Sequence, residues 1–124
     1  MSTLRTDTLS NAAGSKSVPV NTVVDGSAKA WVNFNGYGTV AIRVAFNVTS
    51  ITDNATGVYT VNFTNAMPDA NYTTIVTAKK ASGTGAAAES TNLTPTASAF
   101  SLTTFQSNTL SNVDAYYVSA TVFR

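Results

Sequence analysis

Apolar and polar positions alternate with a period of two through most of this chain, and no stretch sustains a helical period. Ala28, Ala30, Val32 and Phe34 fall on one parity, and Val40, Ile42, Val44 and Phe46 on one parity of the next run. Tyr59, Val61 and Phe63 alternate, as do Tyr72, Thr74, Val76 and Ala78, and then Phe100, Leu102 and Thr104. This pattern predicts strands over 28–35, 38–47, 57–64, 72–80, 97–106 and 114–123. Connections are expected at 49–57, 65–71, 81–97 and 106–114, where Asn, Asp, Gly and Ser gather. Six short strands separated by turn residues point to an all-β fold, a small antiparallel β-sandwich, jelly-roll-like, spanning 28–124. Residues 1–27 carry few large side chains, irregularly spaced, and read as an extended N-terminal anchoring arm.

The run "AKAWVNFNGYGTVAIR" fixes a first register. If both apolar sets face one core, opposed residues have an even sum, which predicts a three-residue loop at Asn35-Gly36-Tyr37. Phe34 then pairs with Gly38, Val32 with Val40, and Trp31 stands opposite Ala41 on the outer face. Lys29 and Arg43 form a second pair beside the indole, and Asn33 completes the patch. An indole on the nominally polar face needs cover from the arm, from another subunit, from a second layer of core, or from a sugar. The expectation adopted is a protein contact through Lys29, Trp31, Asn33 and Arg43. The last run, from Asp114 onward, has bulk on both faces and predicts a strand covered on both sides.

Composition narrows the chemistry. Charged residues are 10% of the 124, against about 25% in an average globular protein, and net charge is +1. No clustered positive field is present, so no nucleic-acid partner is expected. Cysteine and histidine are absent, which excludes thiol chemistry, cysteine–histidine zinc sites and an imidazole base. No apolar run approaches the ~20 residues of a membrane span, and the first residues lack a signal peptide's apolar core. The expectation is synthesis in a cytoplasm without membrane insertion.

Candidate catalytic groups are sparse. The acids Asp7, Asp25, Asp53, Asp69, Glu89 and Asp114 sit almost entirely in predicted turns, where aspartate serves the backbone. "GTGAAAES" from Gly83 lacks the lysine and the flanking strand–helix unit of a phosphate loop. "DNATG" from Asp53 lacks the spaced acids of a calcium loop and reads as a β-turn. Sequons at Asn47, Asn54, Asn62, Asn71 and Asn92 reflect an Asn/Thr-rich composition. No enzyme activity and no cofactor are expected. The long connection at 81–97, with Lys80, Thr84, Glu89 and Asn92, is the expected exposed, adaptable loop.

The blocks "LRTDTLSNAAGS" (4–15), "AKAWVNFNGYGT" (28–39), "NVTSITDNATGVYTVNFTNAMPDANY" (47–72) and the closing "TVFR" occur in an order that resembles the small β-rich fibre or receptor-binding domains of tailed bacteriophages of the marine and cyanobacterial type. The resemblance implies a virion structural protein, commonly a homotrimer, anchored through its N-terminal part and facing the host; other virion proteins are the expected partners of the arm, and a host surface glycan is a candidate partner of the domain. It implies no catalytic residues. The expected function is therefore a tail-fibre or receptor-binding module for host attachment. With only about 27 residues ahead of the domain, the alternative is a capsid decoration, cement or head-fibre protein. A carbohydrate-active enzyme is the remaining reading.

Overall fold

The computed structural model describes residues 1–80, 86–90 and 95–124. Ten strands and one short helix are present among them: β1 Thr8–Ser10, β2 Ser17–Pro19, α1 Val20–Gly26, β3 Ala28–Asn35, β4 Ala41–Phe46, β5 Val48–Ala55, β6 Val58–Phe63, β7 Thr73–Lys79, β8 Ala86–Ser90, β9 Ala99–Gln106 and β10 Tyr117–Phe123. All strand pairs are antiparallel. Two four-stranded sheets, β4-β3-β10-β7 and β5-β6-β9-β8, enclose the core. The expected small all-β sandwich is what forms. The hairpins β3–β4, β5–β6 and β8–β9 each stay within one sheet, and the chain crosses between the sheets at β4–β5, β6–β7, β7–β8 and β9–β10.

The core follows the alternation. Ala30, Val32 and Phe34 of β3 and Val118, Ala120 and Val122 of β10 face Tyr59, Val61 and Phe63 of β6 and Phe100 and Leu102 of β9. Phe34 meets Tyr59 edge-on with ring centroids 5.2 Å apart, and Phe63, Tyr72 and Phe100 form a second aromatic cluster. Edge-to-face contacts of this kind add about 0.5–1.5 kcal/mol each beyond the apolar area they bury.

Two strands arise where turns were expected. β5 occupies most of 49–57, and its polar "TSITDNA" is the signature of an outer strand whose exposed face is hydroxyl and amide. A bulge between Val48 and Ser50 lets both Val48 and Ile51 reach the core. β8 lies inside the expected 81–97 loop. Its alanines are weak strand formers, and it is held by its full-length pairing with β9, from Ala86↔Gln106 to Ser90↔Leu102.

The β3–β4 register also departs from expectation. The loop is five residues long, 36–40, and Trp31 pairs with Phe46, Val32 with Ala45 and Asn33 with Val44. A bulge at Arg43 then shifts the pairing, so Phe34 faces Ile42 and Asn35 faces Ala41. Val44 and Phe46 therefore lie outside with Trp31, not in the core. The even-sum rule failed because it allowed no bulge and assigned every large apolar side chain of an edge strand to the interior. Asn35 closes the loop: its amide donates to the Tyr37 and Thr39 carbonyls and its Oδ1 accepts from the Tyr37 N–H.

Residues 1–27 are not extended. β1 and β2 form a hairpin around Asn11, whose side chain accepts from the Lys16 N–H and donates to Ser15. α1 follows with no buried residue. Every residue of this segment is exposed except the half-buried Val18 and Val20. Lys29 joins it to the sandwich by donating to the Val24 and Ser27 carbonyls and to Ser27 Oγ, cations being favoured at a helix C-terminus.

Candidate binding face

The outer faces of the two sheets differ in chemistry. On β5-β6-β9-β8, polar side chains satisfy one another: Asn54 donates to Thr60, Thr60 meets Ser101 at 3.0 Å, and Asn62 donates to both Ser50 and Thr52. These side chains of β5, β6 and β9 bond to one another. The face of β4-β3-β10-β7 does not match that pattern.

Pairing across β4-β3-β10-β7 sets side chains in rows. Phe46, Trp31, Thr121 and Ile75 form one row across all four strands. The Trp31 and Phe46 rings stack with centroids 6.4 Å apart. Phe46 is 53% exposed, Ile75 55% and Trp31 38%. The next row, Val44, Asn33, Ser119 and Thr77, is mostly polar, with Asn33 donating to Ser119 Oγ at 2.8 Å.

Beyond it, at the end of the sheet, aromatic and cationic groups meet. Tyr117 pairs with Lys79, the Arg43 guanidinium lies 4.3 Å above the Tyr117 ring, and the Lys79 ammonium lies 5.8 Å from it. Arg43 is held by the Tyr116 carbonyl at 2.6 Å and reaches Asn33 Oδ1 at 3.5 Å. Tyr37 stacks on Tyr116 with centroids 5.5 Å apart, and Tyr116 packs against Tyr117.

A buried polar network fixes this end. The Gly36 N–H donates to the Ala115 carbonyl at 2.9 Å, which sets the next residue of each segment, Tyr37 and Tyr116, side by side. Beneath them the Tyr59 hydroxyl lies 2.8 Å from the Gly36 carbonyl and 3.0 Å from Asp114 Oδ1, which also accepts from the Gly57 N–H at 2.7 Å. Burial, followed by the Asp114 carboxylate beside it, pushes the Tyr59 phenol well above its ordinary value, so it stays a neutral donor. Gly36 has no room for a side chain, since a Cβ there would meet Tyr59 Oη at 2.6 Å.

The expected contact residues divide. Trp31, Asn33 and Arg43 lie on this face, but Arg43 covers Tyr117 rather than flanking the indole, and Trp31 stands opposite Phe46 rather than Ala41. Lys29 is drawn away to α1 and does not pair with Arg43. Of the expected loop residues, Lys80 is half-buried just after β7 and Glu89 is on β8 opposite Thr103, so that segment is not one open loop; Thr84 and Asn92 lie outside the described residues. The sequence reading missed Phe46, Tyr37, Tyr116 and Tyr117. The available signal was the adjacent pair Tyr116-Tyr117, since alternation can place only one of two neighbours inside.

Among the described residues no group of three or more acidic side chains is placed to hold a metal ion, and no helix is long and apolar enough to cross a membrane. The chain matches no protein-family model, no curated protein and no solved structure.

Proposed function

We propose that this chain is a structural and attachment module of a tailed-phage virion, a tail-fibre or receptor-binding domain that assembles as a homotrimer. The supporting observation is the Phe46–Trp31–Thr121–Ile75 row, apolar apart from Thr121, across a sheet whose counterpart on the other side of the sandwich carries polar ladders on β5, β6 and β9. Contiguous exposed apolar surface of this sort marks a contact with another macromolecule. The resemblance of the order of sequence blocks to that of phage fibre domains supports the virion setting and three copies rather than two. In this reading the rows of three subunits face a common axis, residues 1–27 hold the module to a larger virion component, and no catalytic role is assigned.

The test joins two measurements. Light scattering on the purified chain should give three times the 12.9 kDa protomer mass, and gold-labelled antibody against it should decorate the tail of intact particles. A stable monomer would remove the assembly role. Labelling spread over the head would replace the attachment role by head decoration.

A further inference from the structure

We propose that the tyrosine–cation end of the β4-β3-β10-β7 sheet, formed by Tyr37, Tyr116, Tyr117, Arg43 and Lys79, is a binding site for an anionic saccharide, its acidic group being a carboxylate or a sulfate. The inference deepens the attachment reading and rests on it for its biological setting.

Three features carry it. The first is a built aromatic surface. Tyr37, 58% exposed, and Tyr116 stack on one another, and their hydroxyls belong to amphipathic rings whose π-faces accept the C–H side of a pyranose while the O–H groups bond its hydroxyls. The second is charge. Arg43 and Lys79 both stand over Tyr117. Asp114, the carboxylate nearest in sequence, has Oδ1 turned inward to Gly57 and Tyr59. Arg43 uses part of its planar fork on the Tyr116 carbonyl and Asn33, which orients the remaining N–H groups for a planar or tetrahedral anion. The third is preorganisation. The Gly36–Ala115 hydrogen bond and the Tyr59–Asp114 network below it hold both stacked tyrosines from the interior, so little ordering is left to be done on binding.

Location separates this site from the assembly band. Tyr117 is four residues along β10 from Thr121, about 13 Å at ~3.3 Å per residue, and the polar row of Asn33, Ser119 and Thr77 lies between. Subunits packed through Trp31 leave the tyrosine end at the rim. The tyrosine hydroxyls and the two cations, neither of which has an ion pair among the described residues, favour an acidic sugar over an apolar protein surface.

Titration calorimetry on the full chain tests it, with a panel of uronic-acid, sialylated and sulfated oligosaccharides and their neutral counterparts. At least one anionic member should bind about tenfold or more tighter than its neutral counterpart, and binding should weaken as salt rises from about 50 to about 500 mM. Tyr37→Ala, Lys79→Gln and Arg43→Gln should each reduce affinity, Tyr37→Ala by about tenfold, with oligomeric mass unchanged. Tyr37 and Lys79 are exposed, so their variants keep the test valid if Arg43→Gln fails to fold. Binding by no member of the panel, equal binding of neutral sugars, or affinity indifferent to Tyr37→Ala would overturn the proposal. Loss of oligomeric mass in Tyr37→Ala would also overturn it, by assigning the surface to a second copy. The two readings fail separately: labelled particles whose purified chain binds no sugar sink only this site, and a sugar-binding chain absent from particles sinks only the virion role.

Discussion

Trp31 lies directly across from Phe46, their rings stacked at an interplanar angle of 24° on the outside of the sandwich. Each partly shields the other, yet both remain open to solvent. Removing the indole should cost the isolated protomer the stacking, about 0.5–1.5 kcal/mol, and the burial of the part of the ring already covered, about 1–2 kcal/mol, while removing the centre of the exposed row. Trp31→Ala should therefore shift light-scattering mass toward the 12.9 kDa protomer while the protomer stays folded. An unchanged oligomer would place the subunit contact elsewhere.

Gly57 and Gly38 both have positive φ, +67° in each case, but differ in surroundings. A Cβ at Gly57 would lie 2.4 Å from the Thr104 carbonyl and 2.8 Å from the Val113 carbonyl, whereas a Cβ at Gly38 meets open space. Gly38→Ala should cost about 1–2 kcal/mol from backbone conformation alone. Gly57→Ala adds the displacement of backbone and should cost about 3 kcal/mol or more. Urea unfolding of the pair measures the difference, and equal midpoints would mean that the hairpin tip yields freely.

Alkaline stability should be governed by the buried phenols. Tyr59 is raised from 10.0 by burial and then by Asp114, and Tyr72 is raised by burial. A raised folded value means that the stabilisation is complete below pH 10 and is lost as pH climbs above it, because the unfolded chain ionises first. Tyr59→Phe should flatten that slope and leave a shallower one from Tyr72. The substitution also removes a buried donor, with an expected cost of about 1–2 kcal/mol at neutral pH. Melting curves of both proteins between pH 8 and 11 decide it.

At the acid end the relevant group is Asp69. Arg124 donates to both of its oxygens, at 3.0 and 2.7 Å, and the Asn71 N–H donates at 2.8 Å. The Arg124 hydrogen bonds, followed by that of Asn71, hold its carboxyl below the ordinary 3.8. Its contribution is present above pH 3.8 and is lost as pH falls through the lower folded value. Asp69→Asn should diminish the loss of stability on acidification without altering behaviour between pH 6 and 8, apart from a small uniform offset.

Residues 1–27 place no side chain in the core. A chain of 28–124 should melt within a few degrees of the full chain. A large drop would show that Lys29, on losing its Val24 and Ser27 acceptors, matters to the sandwich.

The sequence made the central strands legible because both of their neighbours are fixed by burial: Tyr59, Val61 and Phe63, or Val118, Ala120 and Val122, could face only one way. Peripheral strands were less legible. β5 reads as a turn because its outward side chains bond to one another rather than packing, and β8 because alanine declares no β preference and its partner strand supplies the order. Trp31 was readable as outward-facing from parity alone. Its neighbour was not, because the bulge at Arg43 reverses which residues of β4 point out. The Tyr37–Tyr116 stack was hidden for another reason. It depends on a hydrogen bond between Gly36 and Ala115, residues far apart in the chain that no local pattern connects.

The unlike outer faces of the sandwich have a consequence for growth. A domain adhesive on opposite sides stacks without limit, each added copy presenting a fresh surface to the next. Here the Asn54–Thr60–Ser101 and Asn62–Ser50–Thr52 ladders on β5, β6 and β9 bond these side chains to one another. If copies join through the Trp31 side, as proposed, they present these ladders outward, and the assembly is expected to close at a fixed number instead of growing into a filament.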